Sequence, residues 1–313
     1  MEELTARANG IEIVYQTFGD PADPTVLLIM GLGVQMLGWD EELCGLLAGR
    51  GFQVVRFDNR DVGRSTQIRG GPRVDVMAPA AGDLSSASYT LADMADDCAG
   101  LLDHLGVERA HLVGASQGGM IAQTLAIRNP ERVLSLTSIM STTGDPVVGQ
   151  PHPEALPTLL TRPPAGRDGF VDFVVRAWGV IGSPGFDADE EALRERARAS
   201  YNRGIHPDGT ARQLIAILAS GDRTEALRRL ALPATVIHGT DDPLIDVSGG
   251  KATAAAIPGA ELVLIEGMGH DLPRQLWPRF VDLIVANAAR AQGPLRESRG
   301  GGSATHPRAR SAS

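Results

Sequence analysis

Residues 112–123 read LVGASQGGMIAQ, a short segment in which strand, turn and helix follow one another directly. His111-Leu112-Val113 is strand-like, Gly114 to Gly119 is a turn, and a helix-like run follows. Gly114-Ala115-Ser116-Gln117-Gly118 fits G-x-S-x-G, a sharp strand-to-helix turn that strains the serine backbone and exposes its hydroxyl at the sheet edge. Glycine at 114 and 118 tolerates the close approach of the neighbouring strand and helix where the turn is sharpest. A helix starting at this point also aims free backbone N–H groups at any negative charge formed nearby. Gly-rich strand-helix turns bind phosphate as well, but no Gly-x-Gly-x-x-Gly or Gly-Lys-Ser/Thr follows a strand in this chain.

Outward from the turn, strand-like runs recur at Ile11–Gln16, Thr25–Met30, Gln53–Phe57, His111–Val113, Val133–Ile139, Ala234–His238 and Glu261–Ile265. The later runs are continuous Val/Leu/Ile stretches, which suits parallel strands covered on both faces. Helical spacing occupies Trp39–Ala48, Thr90–Leu105, Met120–Asn129, Ser248–Ile257 and Gln275–Ala289. The alternation predicts an α/β fold with a mostly parallel, doubly wound central sheet flanked by helices. The rhythm breaks over 142–230, which opens Pro-rich and continues with amphipathic segments such as Glu190–Tyr201. That span is expected to be an inserted helical cap over the strand ends, with 1–141 and 231–292 forming the core domain. The stretch 293–313, rich in Gly, Ser and Arg, offers almost nothing to bury and is expected to be a disordered tail.

With 313 residues, 43% hydrophobic and 21% charged, the chain is long enough for one large domain plus an insertion. A net charge of −9 argues against a nucleic-acid partner, because phosphate binding needs a basic face. Purely apolar runs such as Val26–Met30 are too short to span a bilayer, and Met1-Glu2-Glu3-Leu4 lacks the pattern of a leader, so a cytoplasmic protein is expected. Cys44 and Cys98 fall in helix-like segments and read as small buried hydrophobes rather than a disulfide or metal ligands.

A serine hydroxyl is a poor nucleophile until a base takes its proton, so Ser116 calls for a histidine oriented by a carboxylate. "VIHGTDDPL" sets Asp241 and Asp242 just past a strand, and "LIEGMGHDLP" sets His270 in a Gly-rich loop past the next. Singly these residues have plainer roles: Asp242 before Pro243 starts a turn, and His270 caps the helix beginning near Pro273. Together they give the order serine, aspartate, histidine at successive strand ends. Asp242, three residues after Gly239, is favoured as the acid, with Asp241 the alternative. An acyl-transfer oxyanion needs donors already in place. The backbone N–H of Gln117 is one candidate, and the N–H of Leu32, in the Gly-rich loop "IMGLGVQM", is the other. In "FDNRDVGRST", Asp58, Arg60, Asp61 and Arg64 read as a hydrogen-bonded scaffold. His104, His111, His152, His206 and His238 lack a partner pattern and read as structural or exposed.

The blocks "VLLIMGLGVQMLGWDEELCGLLAGRGFQVVRFDNRDVGRST", "HLVGASQGGMIAQTLAIRNPERV" and "VIHGTDDPL…IEGMGH" resemble the α/β-hydrolase superfamily. The Met-Gly loop and the Arg-Phe-Asp-Asn-Arg-Asp-x-Gly-Arg-Ser stretch look most like the aclacinomycin methylesterase group of esterases. The resemblance implies Ser116 as nucleophile, His270 as base, Asp242 as orienting acid, and Leu32 with Gln117 as oxyanion donors. Met30 stands where many relatives have histidine, and Gln117 where many have methionine. The implied activity is carboxylic ester hydrolysis through an acyl-enzyme, on a small-molecule ester and with no metal or organic cofactor. The same residues also suit C–C bond hydrolysis, lactone hydrolysis or perhydrolysis, and a non-catalytic ligand-binding homologue is the reading from another class. Dehalogenase and epoxide hydrolase chemistry is disfavoured, because those relatives attack with a carboxylate where this chain has Ser116.

Overall fold

Hydrophobic alternation in β3 (Thr25–Ile29) runs on both faces at once: Val26 and Leu28 belong to one core cluster, Leu27 and Ile29 to the other. A strand buried on both sides carries apolar residues at successive positions, and its neighbours β4 (Gln53–Phe57), β5 (Ala110–Ala115), β6 (Val133–Ile139) and β7 (Ala234–Gly239) are likewise buried on both faces along nearly their whole length. The computed structural model describes residues 1–72, 74, 75 and 82–291. Position 292 and the stretch 293–313 expected to be a tail lie outside the described residues.

Among the described residues, β1 (Leu4–Ala8), β2 (Ile11–Phe18) and β8 (Glu261–Ile265) complete an eight-stranded sheet in the order β1-β2-β4-β3-β5-β6-β7-β8. β1 pairs with β2 and β2 with β4 antiparallel, and every other pairing is parallel. Helices α2 (Leu91–His104) and α3 (Gln117–Arg128) put Leu91, Met94, Leu101, Ile121 and Leu125 into the core on one face. On the other face α1 (Glu41–Ala48) and α10 (Trp277–Arg290) contribute Leu43, Leu47, Phe280 and Ile284. The helix starts are set by their caps: Asp40 accepts from the Glu42 N–H, and Thr90 forms a reciprocal capping box with Asp93.

Strand β1 is an addition to the sequence reading. Asn9 and Gly10, both at positive φ (48° and 79°), form the two-residue turn that joins it to β2, with Ala8 paired to Ile11. Its inward residues are Ala6 and Ala8, and alternation carried by alanine is a weak signal beside exposed Thr5 and Arg7. Helix α3 begins at Gln117, three residues earlier than expected, because the turn at Ser116 leads straight into it.

Between β6 and β7 the chain forms α4 (Leu156–Leu160), α5 (Arg167–Ile181), α6 (Glu190–Arg203), α7 (Pro207–Ser220) and α8 (Thr224–Leu227). The last helix before β8 is α9 (Val247–Ala256). Arg203 of α6 pairs with Asp58 and Glu3, and Arg212 of α7 forks onto Asp61 through Nε (2.8 Å) and Nη2 (2.6 Å). The polar loop after β4 thus anchors the helical insertion, as a scaffold would: Asp58 also accepts from the Met36 and Arg64 N–H groups, and Arg60 forms a buried bidentate pair with Asp97. Among the described residues, no helix is long and apolar enough to cross a membrane. Cys44 and Cys98 are buried free thiols, and burial pushes the Cys44 thiol up to about 12.

Candidate active site

Loops leaving the carboxyl ends of β3, β5, β7 and β8 converge where the strand order reverses between β3 and β5, the place where open α/β sheets form crevices. Ser116 occupies the tip of the β5–α3 turn at φ 56° and ψ −124°, a left-handed conformation that a serine adopts only when its surroundings impose it. The surroundings do so by proximity. A Cβ on Gly114 would lie 2.1 Å from the Gly118 carbonyl oxygen, and one on Gly118 would lie 2.0 Å from that of Ile29. The Ser116 N–H donates to Ile139 O on the next strand, and the N–H groups of Gly119 and Met120 return to Ser116 O.

His270 Nε2 lies 3.0 Å from Ser116 Oγ, and His270 Nδ1 lies 2.7 Å from Asp242 Oδ2. A carboxylate only accepts, so Nδ1 carries the proton, and in the neutral ring Nε2 presents a lone pair to the hydroxyl. Asp242 is 2% exposed and His270 7%, while Ser116 is half-buried. Oδ1 of Asp242 accepts from the N–H groups of Leu244 and Ile245, both at 2.9 Å. Burial works against the charge of Asp242, but the His270 imidazole beside it and these donors outweigh burial and hold the carboxyl well below the usual carboxylate range. Asp241 turns elsewhere: its Oδ2 accepts from Thr240 Oγ1 and the Gly267 N–H, on the exposed side of the loop. Of the two adjacent aspartates, Asp242 is therefore the one in contact with His270.

The loop after β3 brings Leu32 to the same place. Gly31 lies against the serine so closely that a Cβ would come within 2.9 Å of Ser116 Cβ. The Val34 N–H donates to Gly31 O and the Gly33 N–H to Gln213 Oε1, which leaves the Leu32 N–H without a protein acceptor among the described residues. The Gln117 N–H, at the first residue of α3, is equally free of one. The Gln117 side chain is fully buried, donates from Nε2 to Gln213 O at 3.3 Å, and leaves Oε1 unpartnered.

Two sets of contacts have no motif in the sequence. His238, on β7 four positions before Asp242, is fully buried, with Nε2 2.8 Å from Ile245 O and 3.5 Å from Asp242 Oδ2. The carbonyl accepts, so its proton sits on Nε2, and the imidazole supports the turn that holds the Asp242 carboxylate. Second, the His270 loop is laced to the chain just after α5. His270 N–H donates to Ile181 O, Gly269 N–H to Ser183 Oγ at 2.8 Å, and Gly185 N–H to Gly267 O at 2.9 Å. Ser183 Oγ in turn donates to the Asp271 carboxylate, whose pKa burial raises. The remaining histidines among the described residues lie outside the site: His111 bonds Ser135 Oγ, His206 bonds Gly63 O, His104 meets the Tyr15 ring edge-on, and His152 faces Glu154 and Asp246.

A family model described as alpha/beta hydrolase fold matches residues 24–273. The chain is similar to the rhodomycin D methylesterase DauP of Streptomyces sp. (strain C5), at 31% identity over 93% of this chain and 97% of that protein. It is similar to the same extent, 31% over 93% and 97%, to the rhodomycin D methylesterase DnrP of Streptomyces peucetius. Among solved structures, the enol-lactonase from Burkholderia xenovorans LB400 superposes with a TM-score of 0.69 at 24% identity, covering 91% of this chain and 100% of that one.

Proposed function

The chain belongs to the alpha/beta hydrolase fold family, and we propose that it is a serine carboxylesterase using Ser116 as nucleophile, His270 as base and Asp242 as orienting acid. The observation that carries this reading is the unbroken line from Asp242 Oδ2 through His270 to Ser116 Oγ, at 2.7 Å and 3.0 Å. Ser116 Oγ attacks the ester carbonyl carbon while His270 Nε2 takes its proton. The carbonyl oxygen becomes an oxyanion facing the N–H groups of Leu32 and Gln117, neither of which has a protein acceptor among the described residues. His270 then returns the proton to the departing alkoxide, which leaves as an alcohol. Water, deprotonated by the same imidazole, attacks the acyl-enzyme and releases the acid. Asp242 remains a carboxylate throughout and steadies the imidazolium.

The names of the two Streptomyces relatives supply the substrate class proposed here, a methyl ester of a carboxylic acid. Residues 142–230 serve in this reading as the cap that shapes the acyl pocket over the core formed by 1–141 and 231–292, because α5 to α7 touch both the His270 loop and the loop after β3. The test is hydrolysis of methyl and p-nitrophenyl esters graded by acyl length, run with the native chain and with Ser116→Ala. Turnover by the native chain and a loss of at least about 10³-fold in the variant is the expected result, since the serine's part in a triad is worth several orders of magnitude. Equal turnover by both proteins refutes the assignment.

A further inference from the structure

Gln213 sits midway along α7 with no exposure to solvent, and both polar atoms of its side chain and its backbone oxygen are engaged with the segments around Ser116. Oε1 accepts the Gly33 N–H at 2.9 Å, Nε2 donates to Arg60 O at 2.8 Å, and its own backbone oxygen accepts Gln117 Nε2 at 3.3 Å. One residue of the helical insertion therefore touches the loop after β3, the loop after β4 and the first residue of α3. Its neighbours reinforce the placement. Arg212 forks onto Asp61, and Thr210 packs against Gly33, where a Cβ would come within 2.7 Å of Thr210 Oγ1.

The Gly33 N–H belongs to the peptide group next to the one that carries the Leu32 N–H. With Gly33 tied to Gln213 and Val34 N–H closed back on Gly31 O, the loop has little rotational freedom left at Leu32. Without the amide oxygen of Gln213, the part-buried Gly33 N–H would lose its protein acceptor, and the loop would be free to turn toward another. Electrostatic stabilisation of an oxyanion depends on donors being in place beforehand, and displacement by about 1 Å costs roughly 10²-fold in rate.

We propose that Gln213 is a positioning residue, which from α7 sets the geometry of the Leu32 donor toward the oxyanion. Gln213 touches no reacting atom and acts through Gly33. The inference rests on the esterase reading above, and it makes the helical insertion part of the apparatus that stabilises the transition state.

The experiment uses the full chain with Gln213→Met, which keeps the volume and loses both amide bonds, and Gln213→Glu, which keeps an acceptor for the Gly33 N–H. For each, kcat and KM on a p-nitrophenyl ester, the pH profile, the melting temperature and the affinity for a boronic acid that mimics the tetrahedral adduct are measured. Gln213→Met is expected to lower kcat by about 10- to 100-fold with KM within about threefold, and to weaken boronate binding by a similar factor. The pH midpoint stays where it is, because the His270–Asp242 contact is untouched, and Gln213→Glu falls between the two. If Gln213→Met fails to fold, Gln213→Leu, which likewise offers the Gly33 N–H no acceptor, decides, and kcat and boronate affinity at native values in it overturn the proposal. Native kcat in folded Gln213→Met, a change confined to KM, or a displaced pH midpoint overturns it equally. Turnover that survives Ser116→Ala overturns both readings, whereas turnover that needs Ser116 but ignores Gln213→Met overturns this one alone.

Discussion

Both oxygens of Asp242 are occupied, Oδ1 by two backbone N–H groups and Oδ2 by His270, while the adjacent Asp241 spends its carboxylate on Gly267 at the surface. The two residues are consequently expected to respond very differently to the same change. Asp242→Asn leaves the shape but gives His270 Nδ1 an amide partner able to favour the wrong tautomer, and a fall in kcat of about 10³- to 10⁴-fold is expected in steady-state ester hydrolysis. Asp241→Asn is expected to stay within about fivefold of native kcat in the same assay, since its contacts stop at an exposed loop. Sequence order alone narrowed the acid to this pair, because serine, aspartate and histidine recur at the ends of β5, β7 and β8. Choosing within the pair required the turn geometry, since adjacent residues after a strand point in different directions. Gln213 escaped the sequence reading, and His238, read there as structural or exposed, gave no sign of its place beside Asp242, for a related reason: each touches residues that no motif links to it.

At the scale of elements, the lacing of 181–185 to 267–271 explains why the histidine loop is rich in glycine. A Cβ on Gly269 would lie 2.4 Å from Gly182 O, so the two segments approach more closely than side chains permit. Ser183 is the hinge pin of this contact, accepting from Gly269 N–H and donating to Asp271. Ser183→Ala leaves a buried N–H and a half-buried carboxylate without their partner, and a loss of about 1–3 kcal/mol is expected in denaturant melts. Catalysis is expected to fall with it, because His270 hangs from the same segment through Ile181 O. Strands and helices were legible where both faces of the sheet were covered, since burial on both sides leaves apolar runs such as Val26–Ile29. The edge strand β1 was not, although Asn9-Gly10 is a hairpin signal in its own right. The pairing of 182–185 with the histidine loop left no trace in the sequence, because small residues that allow close approach look the same as those in any loop.

For the molecule as a whole, His111 ties pH to stability from within the central sheet. It lies on β5, 2% exposed, bonded to Ser135 Oγ on β6 and edge-on to Phe52, and burial first, then the Arg109 charge, lowers its pKa to about 4. The unfolded chain takes up a proton at this histidine below about pH 6.5, whereas the folded chain does not until about pH 4. The unfolded state thus binds more protons in that window, and stability falls as the pH is lowered through it, by on the order of 2–3 kcal/mol. Urea midpoints compared at pH 7.5 and 4.5 are expected to drop for the native chain and to drop less for His111→Asn; parallel declines would assign the effect to other groups. The loops at the strand ends converge on one hydroxyl, that of Ser116. The most direct test of its role is intact-mass and peptide mapping after brief exposure to a fluorophosphonate. One adduct, on the peptide carrying Ser116, slowed strongly by His270→Ala and lost with Ser116→Ala, is the predicted result. An adduct on another residue, or labelling that proceeds at the native rate in His270→Ala, contradicts the account.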